Sequence, residues 1–484
     1  MWILEPGIGN LEPSAKLDRK NRTRIRQIVG PDHCSDSSED LFLYAYDALN
    51  RRYLPDMVVH PGSAREISEL LKLANEARFP VVPRGAGTGL TGGSLAVDGG
   101  LVVTTRRLDR ILDIDRDNMT VWCEAGVVNG DLQAEVEKEG LFFPPDPASM
   151  KFSTIGGNAA ENAGGPRAVK YGVTRDYVMA LEVVLPTGEI LHTGSSAIKS
   201  VTGYDLTRLM VGSEGTLGFI TRLLLRLVPK PETVRAMLTV FPETRMASNT
   251  VARIMSSRIV PSTLEFMDRS AIDCVKNYLD IELPDDAAAL LLIEVDGRAT
   301  SVTEQMATIQ SICREVGANL VRAADSEEER ESLWTARRSL SPAIMKIRPL
   351  KINEDVAVPR MKIPELIEGV EEIARCRDLI IVNFGHAGDG NVHVNLLVDP
   401  EDRDEVARAH SAVEDLFRLV VSLGGSLSGE HGIGIAKAPY LAIELDETMI
   451  SVMRRIKGAL DPNNILNPHK TFDFDPSVTS REFR

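Results

Sequence analysis

The hydrophobic positions in the first half of the chain predict short strands alternating with helices. Apolar runs at residues 57–60 and 79–83 have the length of strands, and between them the apolar residues of positions 67–74 recur at helical spacing. Ser63 and Glu66 stand where a capping box would open that helix. The stretch as a whole therefore predicts a β-α-β unit.

The pattern changes after Pro229 and Pro231, which predicts a domain boundary at this point. Longer apolar runs and amphipathic stretches follow. Strands are expected at residues 236–241 and 289–295, and helices at 244–257 and 302–316. This combination predicts an α+β fold in which a sheet carries helices on one face.

Two apolar runs near the C-terminus, residues 380–384 and 392–398, flank the turn Ala-Gly-Asp-Gly. This is the pattern of a β-hairpin. His386 and His393 flank the turn, so they are expected to face each other across the hairpin. Asn395 lies two residues beyond His393 and therefore points to the same face of its strand.

A carboxylate follows in the segment Ser-Gly-Glu-His-Gly at residues 428–432. Glu430 can complete a set of two histidines and one carboxylate with His386 and His393. Such a set suits a catalytic divalent metal that keeps open coordination positions. The alternative is that the two histidines belong to a structural turn that holds no metal.

The glycine-rich segment 84–94 contains a formal G-x-G-x-x-G match at residues 87–92. A dinucleotide-binding Rossmann unit would need a helix to begin there. Asp98-Gly-Gly and the apolar run 101–104 break the segment instead. The segment is therefore predicted to be a loop between strands, whose bare backbone N–H groups can wrap a phosphate.

Two further blocks, residues 144–165 and 211–220, are rich in glycine, and the first is also rich in asparagine. Such composition is typical of backbone that approaches a ligand closely. For the first block, the alternative is a long surface loop.

Length, net charge and cysteine content exclude several classes of protein. A chain of 484 residues is too long for one ordinary core, and its net charge of −15 argues against a nucleic-acid partner. No apolar run reaches the roughly 18 residues of a membrane span, and no secretory signal is visible. The five cysteines form no C-x-x-C pair, which predicts reduced thiols in a cytoplasmic compartment.

The three glycine-rich blocks together resemble the FAD-binding domain of the vanillyl-alcohol-oxidase/PCMH flavoprotein family. The hairpin histidines, the Ser-Gly-Glu-His-Gly segment and the Ile-Leu-Asn-Pro ending at residues 465–468 resemble its D-2-hydroxy-acid dehydrogenase branch. That branch includes the glycolate oxidase D subunit, D-lactate dehydrogenase and D-2-hydroxyglutarate dehydrogenase. The resemblance covers roughly residues 50–470.

The resemblance implies a two-part PCMH-type FAD-binding domain and a cap domain with an antiparallel sheet and helices. The expected divisions are an N-terminal helical segment at residues 1–53, the FAD-binding domain at 54–231, the cap or substrate domain with its metal site at 232–430, and a C-terminal segment returning to the FAD domain at 431–484.

The resemblance also assigns residues to FAD. Some family members bond the flavin covalently through a histidine where this chain has Thr88, so FAD is expected to be non-covalent. The expected cofactor residues are Arg84, Gly85, Ala86, Gly87, Thr88, Gly89, Gly92, Gly93, Pro145, Asp146, Ser153, Thr154, Gly156, Gly157, Asn158, Asn162, Gly164, Gly165, Gly172, Ile220 and Asn467.

In the hydroxy-acid branch, the residues matching His386, His393 and Glu430 bind a divalent metal, which implies Zn, Mn or Fe here. His431 matches the general base. A metal lowers the pKa of a bound hydroxyl, and a neighbouring histidine near its ordinary pKa can take the proton.

Substrate contacts follow from the same resemblance. Arg337 matches an arginine that holds the substrate carboxylate, and it counts among the expected catalytic residues. Ser341 stands where some relatives have threonine. Asn353 stands where some have the lysine of a K-x-D motif, and Lys351 lies close by. The expected substrate residues are Arg337, Ser341, Lys351 and Asn395.

The implied activity is metal-assisted, FAD-dependent oxidation of a D-2-hydroxy acid to the 2-oxo acid, with hydride transfer to flavin N5. The Asn-Glu-Asp-Val sequence at residues 353–356 favours glycolate or D-lactate. The alternatives are a D-2-hydroxyglutarate dehydrogenase, a flavin-dependent sugar or lactone oxidase, and a non-catalytic FAD subunit of a complex. An iron–sulfur or second flavin subunit is the expected electron acceptor. A cytoplasmic location is expected, and peripheral association with the inner face of the membrane is the alternative.

Overall fold

The computed structural model describes residues 17–49, 51–276 and 282–473. The beginning of the N-terminal helical segment expected at residues 1–53, and the last part of the C-terminal segment expected at 431–484, therefore lie outside the described residues.

The described first half of the chain contains a four-stranded, a five-stranded and a two-stranded sheet, flanked by helices. The first sheet has the strand order β1-β2-β4-β3, the second has the order β5-β6-β10-β8-β9, and β7 pairs with β11. The strands are β1 (Cys34–Ser35), β2 (Met57–Val59), β3 (Val81–Arg84), β4 (Leu101–Thr104), β5 (Ile111–Asp115), β6 (Thr120–Glu124), β7 (Leu141–Phe142), β8 (Val178–Val184), β9 (Ile190–Gly194), β10 (Phe219–Arg226) and β11 (Val228–Pro229). The helices are α1 (Arg19–Val29), α2 (Ser38–Leu43), α3 (Ala64–Ala77), α4 (Asn129–Lys138), α5 (Ile155–Glu161), α6 (Ala168–Tyr171) and α7 (Leu206–Met210).

The predicted β-α-β unit is confirmed as β2-α3-β3, with β4 lying between the two strands and parallel to both. Ser63 caps α3 by accepting a hydrogen bond from the backbone N–H of Glu66 at 3.2 Å. The Glu66 carboxylate in turn accepts hydrogen bonds from the backbone N–H of Gly62 at 2.8 Å and from Oγ of Ser63 at 3.5 Å. The helix therefore begins where the capping pattern predicts.

No helix begins between β3 and β4, so the rejection of a Rossmann unit is confirmed. The segment is a loop, and Gly87 adopts a φ of +71° within it. The backbone conformation favours glycine, and a Cβ at this position would also lie 2.2 Å from Nη2 of Arg84 and force that side chain to move.

The second half of the chain is built on one seven-stranded antiparallel sheet of order β15-β12-β14-β13-β17-β18-β16. Its strands are β12 (Thr233–Phe241), β13 (Thr263–Asp268), β14 (Ala289–Gly297), β15 (Leu320–Ala323), β16 (Leu350–Ala357), β17 (Ile380–His386) and β18 (Asn391–Val398). Its helices are α8 (Thr244–Ser256), α9 (Arg269–Val275), α10 (Ala299–Val316), α11 (Glu327–Arg338), α12 (Leu340–Ile344), α13 (Ile363–Arg377) and α14 (Arg403–Ser422).

The sheet carries helices on both faces, so the expectation of helices on one face is wrong. One core joins it to α8, α10, α13 and α14, and a second core on the opposite face joins it to α9, α11 and α12. The reason is visible in β14, where Leu290 to Ile293 are consecutive and all buried. A strand that is apolar at successive positions buries both of its faces.

The end of the chain packs back onto the first half. After α15 (Leu441–Glu444) and α16 (Glu447–Leu460), Leu466 forms a bridge with Val81 of β3. The Nζ of Lys457 donates a 2.8 Å hydrogen bond to the backbone oxygen of Thr216. Short 3-10 turns complete the described structure at Pro31–His33, Thr174–Asp176, Arg360–Lys362, Ala438–Tyr440 and Thr471–Asp473.

Across the described residues, no helix combines the length and the apolarity needed to cross a membrane.

Candidate active site and cofactor cavity

The predicted hairpin is confirmed as β17 and β18, joined by a turn at residues 387–390. His386 lies opposite Asn391, and Phe384 lies opposite His393. The two histidines are therefore diagonal neighbours on one face rather than directly opposite residues, and their ring centroids are 5.3 Å apart. Both side chains are buried, so the pair lies inside the molecule.

Glu430 reaches this pair from the loop that follows α14. Its Oε1 lies 3.6 Å from Nε2 of His386 and 3.8 Å from Nε2 of His393. The same oxygen lies 3.8 Å from Nε2 of His431, whose ring stacks on that of His393. Three imidazole nitrogens thus converge on one carboxylate oxygen.

This arrangement fits a metal ion better than a hydrogen-bonded cluster. The distances from Glu430 exceed those of ordinary hydrogen bonds. They are close to the ~3.4 Å that separates two ligands of a tetrahedral ion with bonds of about 2.1 Å. The ligand atoms of His386, His393 and Glu430 all lie within 4.8 Å of one another, as do those of Asp355, His393 and His431. Burial, followed by the charges of His386 and His431, holds the pKa of His393 well below its usual value, which keeps its imidazole neutral as a ligand must be.

Glu265 of β13 orients His386 from behind. It lies directly opposite His386 in the sheet and is fully buried. Its Oε1 is 2.5 Å from Nδ1 of His386 and, as an ionised acceptor, assigns the proton to that nitrogen. Burial opposes protonation of His386, but Glu265 and Glu430 outweigh it and raise the pKa, so a metal bound at Nε2 would have to displace the proton there. The Nε2 atom is thus the nitrogen directed at Glu430.

Asp355 of β16 is a buried carboxylate that orients the loop carrying Glu430. Its Oδ2 accepts hydrogen bonds from the backbone N–H groups of Gly429, Glu430 and His431 at 3.0, 2.8 and 2.9 Å. Burial alone would raise the pKa of Asp355, but His431, Lys437 and His393 hold it well below its usual value. The carboxylate is therefore ionised and fixes the loop.

The sequence did not predict a functional role for either carboxylate, Glu265 or Asp355. Glu265 is a single charge inside the run Thr-Leu-Glu-Phe-Met, and a charge within an apolar strand is a signal because it needs a partner when buried. Asp355 served only as a marker of the Asn-Glu-Asp-Val sequence. Their partners come from distant segments, so the sequence did not identify them.

Arg337 of α11 lies beside the histidines. Its Nε and Nη2 atoms lie 2.9 and 2.6 Å from Oε2 of Glu265, and its guanidinium stacks on the ring of Phe384 at 4.7 Å.

Asn395 is fully buried, and it accepts a hydrogen bond from Asn353 at 2.7 Å while donating to the backbone of Val382 and His393.

Ser341 and Lys351 lie together but apart from this cluster. The Nζ of Lys351 donates to Oγ of the exposed Ser341 at 2.9 Å. Lys351 precedes Asp355 by four positions on β16, which corresponds to roughly 13 Å along the strand. Their assignment to the substrate stays a prediction.

A cavity of about 210 Å³ lies between the glycine-rich loops. Glu430 and His431 line it as well, so it connects with the histidine cluster. Its lining includes these residues of the expected cofactor set: Arg84, Gly85, Ala86, Gly87, Thr88, Gly89, Gly93, Ser153, Thr154, Gly156, Gly157, Asn158, Gly164 and Ile220.

The other residues expected to bind the cofactor do not line this cavity. The Nδ2 of Asn467 donates to the backbone oxygens of Gly93 and Glu214 at 2.9 and 2.8 Å, tying two of the loops together. Asn162 ends α5 and accepts a hydrogen bond from the backbone N–H of Arg175. The remaining members of this outer group are Gly92, Pro145, Asp146, Gly165 and Gly172.

Glu214, in the third glycine-rich block, was also missed. It is buried in the cavity wall and accepts hydrogen bonds from the backbone N–H groups of Ile433 and Gly434 at 2.9 and 2.7 Å. It therefore anchors the chain just beyond His431. Because glycines flank Glu214, the segment was predicted only to bring its backbone close to the cofactor, and no role was predicted for the carboxylate.

Comparison with known proteins identifies two domains. A model described as the FAD binding domain matches residues 55–194, and one described as the C-terminal domain of FAD linked oxidases matches residues 230–471.

Two curated relatives match almost the whole chain. The chain is 45% identical to the glycolate oxidase subunit GlcD of Bacillus subtilis over 94% of its length and 97% of that protein. It is 36% identical to a D-lactate dehydrogenase of Anaerostipes hadrus over 92% of its length and 94% of that protein.

A solved structure shows the same fold at lower sequence identity. The 4-ethylphenol oxidase of Gulosibacter chungangensis superposes with a TM-score of 0.77 at 17% identity, covering 96% of this chain and 100% of the other. The predicted α+β fold, with a PCMH-type FAD-binding domain and an antiparallel cap sheet, is thereby confirmed.

Proposed function

Since this chain belongs to the family of FAD-linked oxidases, we propose that it oxidises a small D-2-hydroxy acid, glycolate or D-lactate, to the corresponding 2-oxo acid. The observation that carries the proposal is that Glu430 and His431 both line the cavity of the glycine-rich loops, while Glu430 faces both hairpin histidines and His431 stacks on His393. A substrate at this junction would meet the flavin on one side and the metal ligands on the other.

The residues have distinct tasks in this proposal. His386, His393 and Glu430 hold a divalent metal, Zn, Mn or Fe, and Arg337 receives the substrate carboxylate through a charge-assisted contact. His431 takes the proton of the substrate hydroxyl, because it lines the cavity whereas the two hairpin histidines do not. When bound, the metal acidifies that hydroxyl and the FAD accepts the hydride from Cα at N5. Loss of one proton and one hydride gives the 2-oxo acid.

A small acid is favoured over 2-hydroxyglutarate. A second carboxylate calls for a further cation near the site. At the position where some relatives carry lysine, this chain has Asn353, whose amide is engaged with Asn395 at 2.7 Å. The names of the two curated relatives point to glycolate and D-lactate as well.

The other candidate functions explain less of the site. A flavin-dependent sugar or lactone oxidase on the same FAD domain does not require two buried histidines converging on one glutamate. A non-catalytic FAD subunit does not require a histidine positioned at the junction with the cofactor cavity. Both alternatives predict that hydroxy acids leave the flavin oxidised.

A direct test is anaerobic reduction of the purified, FAD-loaded protein. Glycolate, D-lactate, L-lactate and D-2-hydroxyglutarate are added separately, and bleaching of the flavin absorbance is followed in a stopped-flow instrument. Fast bleaching by glycolate or D-lactate, abolished by a chelator and restored by metal, is expected. If none of the four acids bleaches the flavin, the proposal is wrong.

The electrons must then leave the reduced flavin. We propose an iron–sulfur or second flavin subunit as their acceptor, at a cytoplasmic location that includes the inner face of the membrane. The Bacillus subtilis relative is a subunit of glycolate oxidase by name, which supports a partner subunit.

A further inference from the structure

One carboxylate holds two functional groups of the site. Oε1 of Glu265 contacts Nδ1 of His386 at 2.5 Å, and Oε2 contacts Nε and Nη2 of Arg337 at 2.9 and 2.6 Å. The side chain is fully buried, at 0% exposure. Its two oxygens are therefore divided between a metal ligand and the arginine that would receive the substrate.

Glu265 lies on the central strand of the cap sheet. It lies in β13, which is hydrogen-bonded on one side to β14 and on the other to β17. Its neighbours Leu264 and Phe266 pack into the core on the opposite face of the sheet. The carboxylate thus starts from a fixed backbone, directly across from His386.

The contacts also fix the guanidinium of Arg337. The edge formed by Nε and Nη2 faces Glu265, and the plane stacks on Phe384, which is itself paired with His393 in the hairpin. Rotation about the end of the side chain would break one of these contacts. Arg337 and His386 are therefore held at one separation by the length of a single side chain.

That separation matters for a 2-hydroxy acid, because its carboxylate and hydroxyl are on adjacent carbons. The arginine and the metal ligands must meet both groups at once, and small errors in such alignment are costly. We propose that Glu265 is a positioning residue that couples the substrate-binding arginine to the metal ligand His386, an inference that rests on the function proposed above. It contributes through geometry and does not touch the substrate.

The molecule supplies a matched control in Glu294. This residue lies in the neighbouring strand β14 and is also buried, and it also pairs with α11. Its Oε1 accepts hydrogen bonds from Nη1 of Arg330 at 2.9 Å and from Nε1 of Trp334 at 2.7 Å. Glu294→Gln removes a buried charge from the same sheet and an ion pair to the same helix, without touching a histidine.

The test compares Glu265→Gln, Glu265→Asp and Glu294→Gln as FAD-loaded proteins. Metal-free samples are titrated with Zn²⁺ or Mn²⁺ by calorimetry, and kcat and KM are measured at saturating metal with the better of glycolate and D-lactate. Both Glu265 variants should bind metal about 10–100-fold more weakly. Both should raise KM by about tenfold or more, because Arg337 loses its fixed position. Glu294→Gln should change neither quantity.

Glu265→Asp keeps the charge but is one methylene shorter, so it separates length from charge. Wild-type behaviour of Glu265→Asp would overturn the positioning role, and so would a change in metal affinity without a change in KM, or equal losses in Glu294→Gln. If the Gln variant does not retain FAD, the Asp variant decides alone. A wild-type protein that binds no metal and is not reduced by hydroxy acids would instead refute the proposed function.

Discussion

Asp355 holds His431 by its backbone, with Oδ2 2.9 Å from the peptide nitrogen, while the imidazole Nδ1 lies 4.0 Å from the same oxygen. The aspartate thus fixes where the histidine begins and leaves its ring free to face the cofactor cavity. Two neighbouring peptide groups bind the same oxygen. One side chain therefore sets the path of the whole Ser-Gly-Glu-His-Gly segment.

Replacing Asp355 with asparagine should disorganise that segment. The amide lacks the negative charge that holds three N–H groups, and buried donors left without acceptors cost roughly 1–3 kcal/mol each. We expect weaker metal binding and flavin reduction slower by about 10²-fold or more, with FAD retained. Rates come from stopped-flow bleaching and metal content from elemental analysis. Asp296→Asn, which removes another buried aspartate, serves as the control and should keep both properties. Wild-type metal content and reduction rate in Asp355→Asn would contradict the assignment.

Removal of either hairpin histidine should lower metal content and turnover together. A set of two histidines and one carboxylate loses much of its affinity when one ligand is gone. FAD should stay bound to His386→Ala and His393→Ala, since neither residue lines the cofactor cavity. His410→Ala, on the exposed side of α14, is the matched control. Full activity of His393→Ala in the presence of a chelator would exclude the metal site.

Substitutions at Glu430 and His431 should distinguish the metal ligand from the general base. Glu430→Gln is expected to lower mainly the metal occupancy. His431→Ala should keep metal and FAD but slow flavin reduction by about 10²–10⁴-fold, the usual effect of losing a general base. Reduction is measured at saturating substrate and saturating metal. Loss of metal from His431→Ala would make it a fourth ligand instead, because its Nε2 is as close to Glu430 as that of His393.

FAD should be released by acid. Thr88 lines the cavity at the position where some family members carry the histidine that bonds the flavin, and threonine does not form that bond. Precipitation with trichloroacetic acid should leave the yellow colour and the flavin fluorescence in the supernatant. Flavin that stays in the pellet would show a covalent link through another residue.

Glu354 should make the stability of the folded protein depend on pH. Burial, together with the charge of Asp355, raises its pKa to about 7 despite Lys437, and its Oε2 has no hydrogen-bond partner within the described part of the chain. A raised carboxyl pKa stabilises the fold below the unfolded pKa of about 4.3, and this contribution is lost as pH rises towards 7.

Glu354→Gln mimics the protonated form and should remove that dependence. Relative to wild type, the variant should gain on the order of 3 kcal/mol in free energy of unfolding between pH 4 and pH 8. Urea titrations of wild type and variant at both values measure the difference. A constant difference across this range would mean that folding does not shift the pKa of Glu354.

The sequence predicted those parts of the site that are encoded by neighbouring residues. The turn between β17 and β18 and the glycine-rich loop after Arg84 each depend on a local pattern, and both were confirmed. Glu265 and Asp355 were not identified because their partners are far along the chain. Their roles depend on which strands pair, and the strand order places β13 beside β17 and β16 beside β18.

The helices on the second face of the cap sheet were missed for a related reason. Leu290 and Leu292 face one side of β14, and Leu291 and Ile293 face the other. A continuous apolar run shows that a strand is buried but not what covers each side. The helices α9, α11 and α12 are short or strongly charged, so their patterns gave little indication of their packing.

The two hydrogen bonds from Asn467 also bear on when the protein can acquire its cofactor. Most of the cavity wall comes from residues between Pro83 and Ile220, whereas His431 in the lining and Asn467 behind the loops are synthesised much later. A ribosome-bound chain has the glycine-rich loops long before it has the amide that joins them. Flavin loading is therefore expected to follow translation, and a nascent chain would carry no colour.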